Sequence, residues 1–179
     1  MPEPIESILE SALLGQDLSV VEGVALLNAR SPSELLQIRK AANQLRQALV
    51  GETVTYVVNR NLNFTNICEQ HCSFCAFRRD EGEEGAFWLD SEQILAKAAD
   101  GVQRGATEIC MQGGLNLKAK VNGSSLAYYT KLISAIKAQF PTLHLHAFSP
   151  QEIQFIARED SLSYVEVISA LKDAGVGSM

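Results

Sequence analysis

Three times between Thr53 and Gly175 the chain repeats one order of events: a short stretch rich in β-branched, aromatic or aliphatic residues, a loop, and an amphipathic helix. The first stretch, Val54 to Phe64, precedes a helix that starts near Asp90, turns Ile94, Leu95, Ala98 and Val102 inward, and is closed by Gly105. The second, Thr107 to Gln112, leads through Gly113-Gly114 to a helix carrying Leu126, Tyr129, Leu132, Ile133 and Ile136. That helix must end before Pro141, because the residue ahead of a proline avoids the helical region. The third, Thr142 to Phe148, runs into Ser149-Pro150-Gln151-Glu152, a capping-box helix start, and then into a stretch with Val165, Ile168 and Leu171 inward. Successive strands joined through helices can pair only in parallel, so the pattern predicts an α/β fold on a parallel sheet.

Residues 1–51 follow a different pattern and read as a helical region ahead of an α/β region at 52–179. Ile5, Ile8, Leu9, Ala12 and Leu13 make one apolar stripe at helical spacing, and Ser19 to Glu22 is a capping box for a second helix. Ser31-Pro32-Ser33-Glu34 repeats that signal with proline at the first helical position, and Leu35, Ile38, Ala42, Leu45 and Leu49 continue a face until Gly51. Stripes of this kind are packing faces and imply no chemistry.

Chemistry enters at Cys68, Cys72 and Cys75, in the run Asn66-Ile67-Cys68-Glu69-Gln70-His71-Cys72-Ser73-Phe74-Cys75-Ala76-Phe77. A closed 4Fe-4S site takes four thiolates; three fix three irons and leave the fourth free to bind a small molecule. A Cys3His zinc site with His71 is the alternative, but His71 adjoins Cys72, and a short loop can hardly aim both at one ion. A disulfide fits less well: four cysteines in 179 residues, three of them clustered and no secretory signal at Met1-Pro2-Glu3-Pro4, suit a reducing, cytoplasmic setting. The net charge of −6 and pI near 5.1 offer no basic footprint, so nucleic acid is not expected as a partner. No apolar run approaches the ~18 residues that cross a bilayer, so no membrane is expected either.

A strand's period of two places Glu108, Cys110 and Gln112 on one face of the second strand, and His144, His146 and Phe148 on one face of the third. A parallel strand buried on both faces reads apolar throughout, so a polar row suggests a lined cavity. His144 also fits a hydrogen-bonded interior histidine, Cys110 a small buried hydrophobe, Gly113-Gly114 a plain turn, and Arg78 to Gly85 a solvated loop.

The C-x3-C-x2-C spacing, with Phe74 just before the last cysteine, resembles the cluster motif of the radical S-adenosylmethionine (SAM) superfamily. That resemblance implies a 4Fe-4S cluster on Cys68, Cys72 and Cys75, SAM chelated to the open iron, and a (β/α) barrel whose active site faces the carboxyl ends of its strands. Gln112-Gly113-Gly114 then falls where the superfamily has a Gly-Gly-Glu-like segment that holds the SAM amino group through backbone groups. Leu115 stands where Glu is often found, so only the backbone role carries over. Phe74, Gln112, Gly113 and Gly114 are thereby implied as cofactor-binding residues and His146 as a catalytic one.

Asn59-Arg60-Asn61-Leu62-Asn63-Phe64-Thr65-Asn66-Ile67-Cys68, Cys75-Ala76-Phe77-Arg78-Arg79, Met111-Gln112-Gly113-Gly114 and His146-Ala147-Phe148-Ser149-Pro150 together resemble the tyrosine-using second subunit of deazaflavin (FO) synthase. That family joins the 4-hydroxybenzyl part of L-tyrosine to 5-amino-6-(D-ribitylamino)uracil on the path to coenzyme F-420. The resemblance implies those two substrates, a reductant such as ferredoxin or flavodoxin, and the first FO synthase subunit as partner. Futalosine-pathway enzymes of menaquinone biosynthesis are similar in the same segments. Superfamily barrels use about six β/α units, and this chain supplies about three. The expectation is an incomplete barrel, a fragment or split gene product, inactive alone; a cluster-binding or interaction fragment without catalysis is the non-enzyme reading.

Overall fold

The computed structural model describes residues 4–179, which divide into two compact units, one ending at Thr55 and one running from Tyr56 to Met179.

The first unit holds α1 (Ile5–Leu13), α2 (Val20–Leu27) and α3 (Pro32–Val50). Both predicted capping boxes form: Ser19 and Ser31 each accept the backbone N–H three residues on, and Glu22 and Glu34 reach back to the cap. Those hydrogen bonds hold both carboxyls below the ordinary glutamate value. Ile8 and Leu9 are buried as expected. The α3 face is displaced from the expected one. Ala41 is its buried residue and Ile38 and Leu45 are half-buried, whereas Leu35 and Leu49 are exposed. Spacing of three and four along one stripe picks 38, 41 and 45, and the outer leucines lie off that stripe.

The second unit is built on a three-stranded parallel sheet in the order β1 (Asn59–Asn63), β2 (Glu108–Gln112), β3 (His144–Ala147). Crossovers are made by α4 (Ser91–Gln103) and α5 (Ser125–Gln139); α6 (Pro150–Asp160) and α7 (Tyr164–Ala174) follow β3. The α/β class and the parallel pairing are as the sequence predicts. The first strand is shorter than expected: Val54 and Tyr56 are each 88% exposed, and pairing begins only at Asn59, opposite Glu108. β-Branched residues favour a strand only where a partner strand exists to pack against.

Ile109, Met111, Leu145 and Ala147 alternate into the helix-covered core with Leu62, Phe64, Tyr129, Ile133 and Ile136. Asp90, Ser149 and Ser163 cap α4, α6 and α7 through full capping boxes. Two helix faces differ from expectation. On α7 the buried residues are Val167 and Leu171, while Val165 and Ile168 face outward; on α4, Gly101 is buried against Arg60 where Val102 was expected. Beyond α7 the chain turns back beside β3. Gly177 and Ser178 donate to the Leu145 carbonyl, and Ala147 donates to Ser178, a first parallel rung next to His146. Among the described residues no helix is long and apolar enough to cross a membrane.

Candidate active site

The cysteine loop leaves the carboxyl end of β1 through two buried polar residues, Thr65 and Asn66, that organise its base. Thr65 Oγ1 donates to the Phe87 carbonyl (2.9 Å) and accepts from Ile67 N–H (3.1 Å). Asn66 is fully engaged: its side chain donates to Gly85 O (2.9 Å) and accepts from Phe87 N–H (2.8 Å), and its carbonyl accepts from Arg79 N–H (2.9 Å). Buried polar groups need such partners, and here the need ties both ends of the loop to one place. Within the loop, Cys75 N–H donates to Cys72 O (3.0 Å), and Glu69 N–H reaches the Leu115 carbonyl (3.0 Å) beyond β2.

Cys68, Cys72 and Cys75 all line one cavity of about 460 Å³, together with Phe74, Arg78, Gln112, Gly113, Gly114 and Glu152. All four cysteines of the chain are free thiols, so no disulfide competes for them. Cys110 stands apart, facing the open side of the sheet beside Asn61 and His146. Phe74 is 98% exposed at the cavity mouth. Among the described residues no three metal-binding side chains already converge on one point, so the thiols share a cavity and are not preassembled around an ion. His71 is not part of the lining; its Nε2 lies 3.4 Å from Arg78 Nη2. In this arrangement the His71 imidazole lies outside the cavity that the three thiols share. The Arg78 guanidinium lines the same cavity and pairs with Asp80, which puts a positive group beside the three thiols. A larger groove of about 730 Å³ shares Gln70, Leu115 and Gln151 with this one but contains no thiol.

Gly113 and Gly114 form the opposite wall, and neither position admits a side chain. A Cβ on Gly113 would come within 2.4 Å of the Phe64 ring, and one on Gly114 within 2.3 Å of the Ile67 carbonyl oxygen and 2.9 Å of Cys68 Cβ. Their absence lets the end of β2 press against the base of the cysteine loop, where Gly114 N–H donates to Thr65 O (2.8 Å). Both positions line the cavity with backbone alone.

Glu152 is the residue of this site that sequence reading took only for a helix cap. It is 2% exposed, accepts the Gly113 backbone N–H at 3.0 Å, and accepts the Ser149 backbone N–H and hydroxyl at 2.8 and 3.0 Å. Burial raises its pKa to about 7 against the opposing pull of those hydrogen bonds. The available signal was its position on the first turn of α6, directly after a strand end.

The polar row expected on the open face of the sheet is present except at Phe148, which was expected beside His144 and His146 but lies in the core against Phe64 and Tyr129, because its positive φ past the end of β3 breaks the strand's alternation. Asn59 and Glu108 meet across β1 and β2, Asn63 Nδ2 donates to Gln112 O (3.3 Å), and His146 is in register with Cys110, one inward-facing step below Gln112. Gln112 lines the cysteine cavity; His146 does not.

The profile of the radical SAM superfamily matches residues 62–179. A Nostoc punctiforme protein named 5-amino-6-(D-ribitylamino)uracil--L-tyrosine 4-hydroxyphenyl transferase is 63% identical over 98% of this chain and 46% of its own length. A Cyanothece protein of the same name is 64% identical over 100% of this chain and 47% of its own. The chain thus spans about half the length of the curated relatives it matches. Two solved structures share the fold. The FeFe-hydrogenase maturase HydG from Carboxydothermus hydrogenoformans has a TM-score of 0.64 at 19% identity, over 96% of this chain and 46% of that one. Methylornithine synthase (PylB) has a TM-score of 0.63 at 16% identity, over 94% and 56%. With the profile covering well over half its residues and the fold agreeing, the chain belongs to the radical SAM superfamily.

Proposed function

We propose that this chain carries the cluster-binding part of a radical SAM transferase that couples the 4-hydroxybenzyl part of L-tyrosine to 5-amino-6-(D-ribitylamino)uracil, the deazaflavin-forming step toward coenzyme F-420. The observation that carries this reading is the cavity in which three thiols face a glycine-only wall at the carboxyl ends of β1 and β2. The high identity to two proteins bearing that transferase name supports the choice of substrates. The donor set fits a 4Fe-4S cluster: three thiols on one loop, no fourth thiol in the cavity lining, and a guanidinium beside them.

In this reading Cys68, Cys72 and Cys75 hold the cluster. Bound together, the cluster and SAM would supply the radical chemistry that acts on tyrosine. The protein's own part is to bind and orient. Gly113 and Gly114, with Gln112 beside them, would hold SAM by its amino end, and Glu152 fixes that turn by taking the Gly113 N–H. Phe74, exposed at the cavity mouth, would lie against the bound cofactor. His146, on the open face of β3, makes a polar contact with substrate. The electron donor is a ferredoxin or flavodoxin, the first FO synthase subunit works alongside, and the setting is cytoplasmic.

The test is turnover by a protein that carries this chain at the length of its relatives, reconstituted anaerobically and given SAM, a reductant, tyrosine and the ribitylaminouracil. The expected result is 5'-deoxyadenosine with a coupled product that requires both substrates. Turnover on a futalosine-type substrate without tyrosine would replace this reading with a menaquinone-pathway one, and iron-free protein would point to a non-catalytic fragment.

A further inference from the structure

A second cluster of side chains lies on the open face of the sheet, outside the cysteine cavity. Ser178 Oγ is 2.8 Å from His144 Nε2 and 2.8 Å from His146 Nδ1. Backbone pairing delivers it there: Ala147 N–H donates to the Ser178 carbonyl at 2.9 Å, and Gly177 and Ser178 both donate to the Leu145 carbonyl. The approach is close enough that a Cβ on Gly177 would come within 2.5 Å of the His144 ring.

A serine hydroxyl has one proton to give, so a hydroxyl that bridges two imidazole nitrogens donates to one and accepts from the other. The two rings are therefore coupled in tautomer. Which way the chain of bonds runs is set by Glu108, the register partner of His144, whose carboxylate oxygen lies 3.9 Å from the same His144 Nε2. A nearby negative charge favours an N–H over a lone pair at that nitrogen. His144 Nε2–H thus donates to Ser178, Ser178 O–H donates to His146 Nδ1, and His146 carries its proton on Nε2. That nitrogen has no hydrogen-bond partner among the described residues and is not sealed from solvent. A hydrolytic Ser-His-Glu triad does not form here, because serine and carboxylate meet the same ring nitrogen and the carboxylate cannot orient the ring from its other side.

We infer that Ser178 is a positioning residue: with His144 it holds His146 in the Nε2–H tautomer, so that the open face of the sheet presents a hydrogen-bond donor to a carbonyl, carboxylate or phenol oxygen of the substrate. The substrate's identity rests on the transferase reading above; the tautomer assignment does not.

The test reads the nitrogens directly. Long-range 1H–15N spectra of the full chain, labelled at histidine and held at alkaline pH, report which ring nitrogen bears the proton; an H146Q sample identifies the His146 signals. The expected result is a single pattern for His146, with Nδ1 an unprotonated acceptor and Nε2 protonated. In S178A the Nδ1 signal should move toward the averaged position of an imidazole exchanging between tautomers, and in S178T, which keeps a hydroxyl, it should return. A His146 protonated on Nδ1, or an Nδ1 signal unmoved by S178A, would overturn the inference. Loss of coupling turnover with the expected spectra intact would count against the transferase reading alone.

Discussion

The Glu152 carboxylate accepts the Gly113 backbone N–H at 3.0 Å, and through that bond the first turn of α6 fixes the wall of the cysteine cavity. Its pKa, raised to about 7 by burial, makes the joint sensitive to pH. An unfolded chain releases this proton near the ordinary value of 4.5, and the folded chain near 7. Between those values the folded state holds more protons, so stability falls as pH rises. The Glu152 contribution is present in full below the lower value and lost as pH passes through the upper one, about 3 kcal/mol in all. Urea midpoints across this window should decline in the wild type and flatten in E152Q; parallel slopes in the two proteins would refute the assignment.

Gly114→Ala places a methyl group against the Ile67 carbonyl oxygen, a rigid backbone atom that cannot step aside. Overpacking of this kind costs about 1–3 kcal/mol. Thermal unfolding should show that loss together with reduced iron uptake, since the same contact holds the base of the cysteine loop. A variant with wild-type stability and iron content would show that the wall is not as tight as described.

How much of this was legible beforehand depended on whether a residue's role was local. The parallel sheet, the capping boxes and the alternation of Ile109 and Met111 against Cys110 and Gln112 follow from periodicity and spacing, and each formed. The failures are places where a partner distant in sequence decides. Val54 to Val58 have strand composition but no neighbouring strand along most of their length, and Val165 and Ile168 look as apolar as Val167 and Leu171 until packing chooses between them. Glu152 reads as an ordinary cap because its second partner, Gly113, is 39 residues away. Arg78 reads as part of a solvated loop because nothing nearby in sequence reveals the cavity it lines.

Tyr129 is fully buried among Phe64, Tyr128 and Phe148, and its hydroxyl has no hydrogen-bond partner among the described residues. Burial holds its pKa well above the ordinary tyrosine value. Removing an unsatisfied buried hydroxyl while keeping the ring should stabilise the fold by about 1 kcal/mol. Y129F should therefore melt at a higher temperature than the wild type, and a lower melting temperature would mean that the hydroxyl is bonded in solution.

Alanine at Cys68, Cys72 or Cys75 should abolish iron binding, because three thiolates are the minimum that fixes a cubane cluster with one open iron. Alanine at Cys110 should leave it intact, since that thiol faces the open side of the sheet beside His146 and lines no part of the cysteine cavity. Iron and sulfide analysis of the four variants checks this; loss of iron in Cys110→Ala alone would reverse the ligand assignment.

The most direct test of the central claim is electron paramagnetic resonance of the reduced, anaerobically reconstituted chain, recorded with and without SAM. A cluster held by three thiols beside the Gly113-Gly114 wall predicts about four irons per chain and a reduced-cluster signal that SAM alters by binding the open iron. Stoichiometric zinc without an iron chromophore, or an iron signal that SAM leaves unchanged, would contradict it.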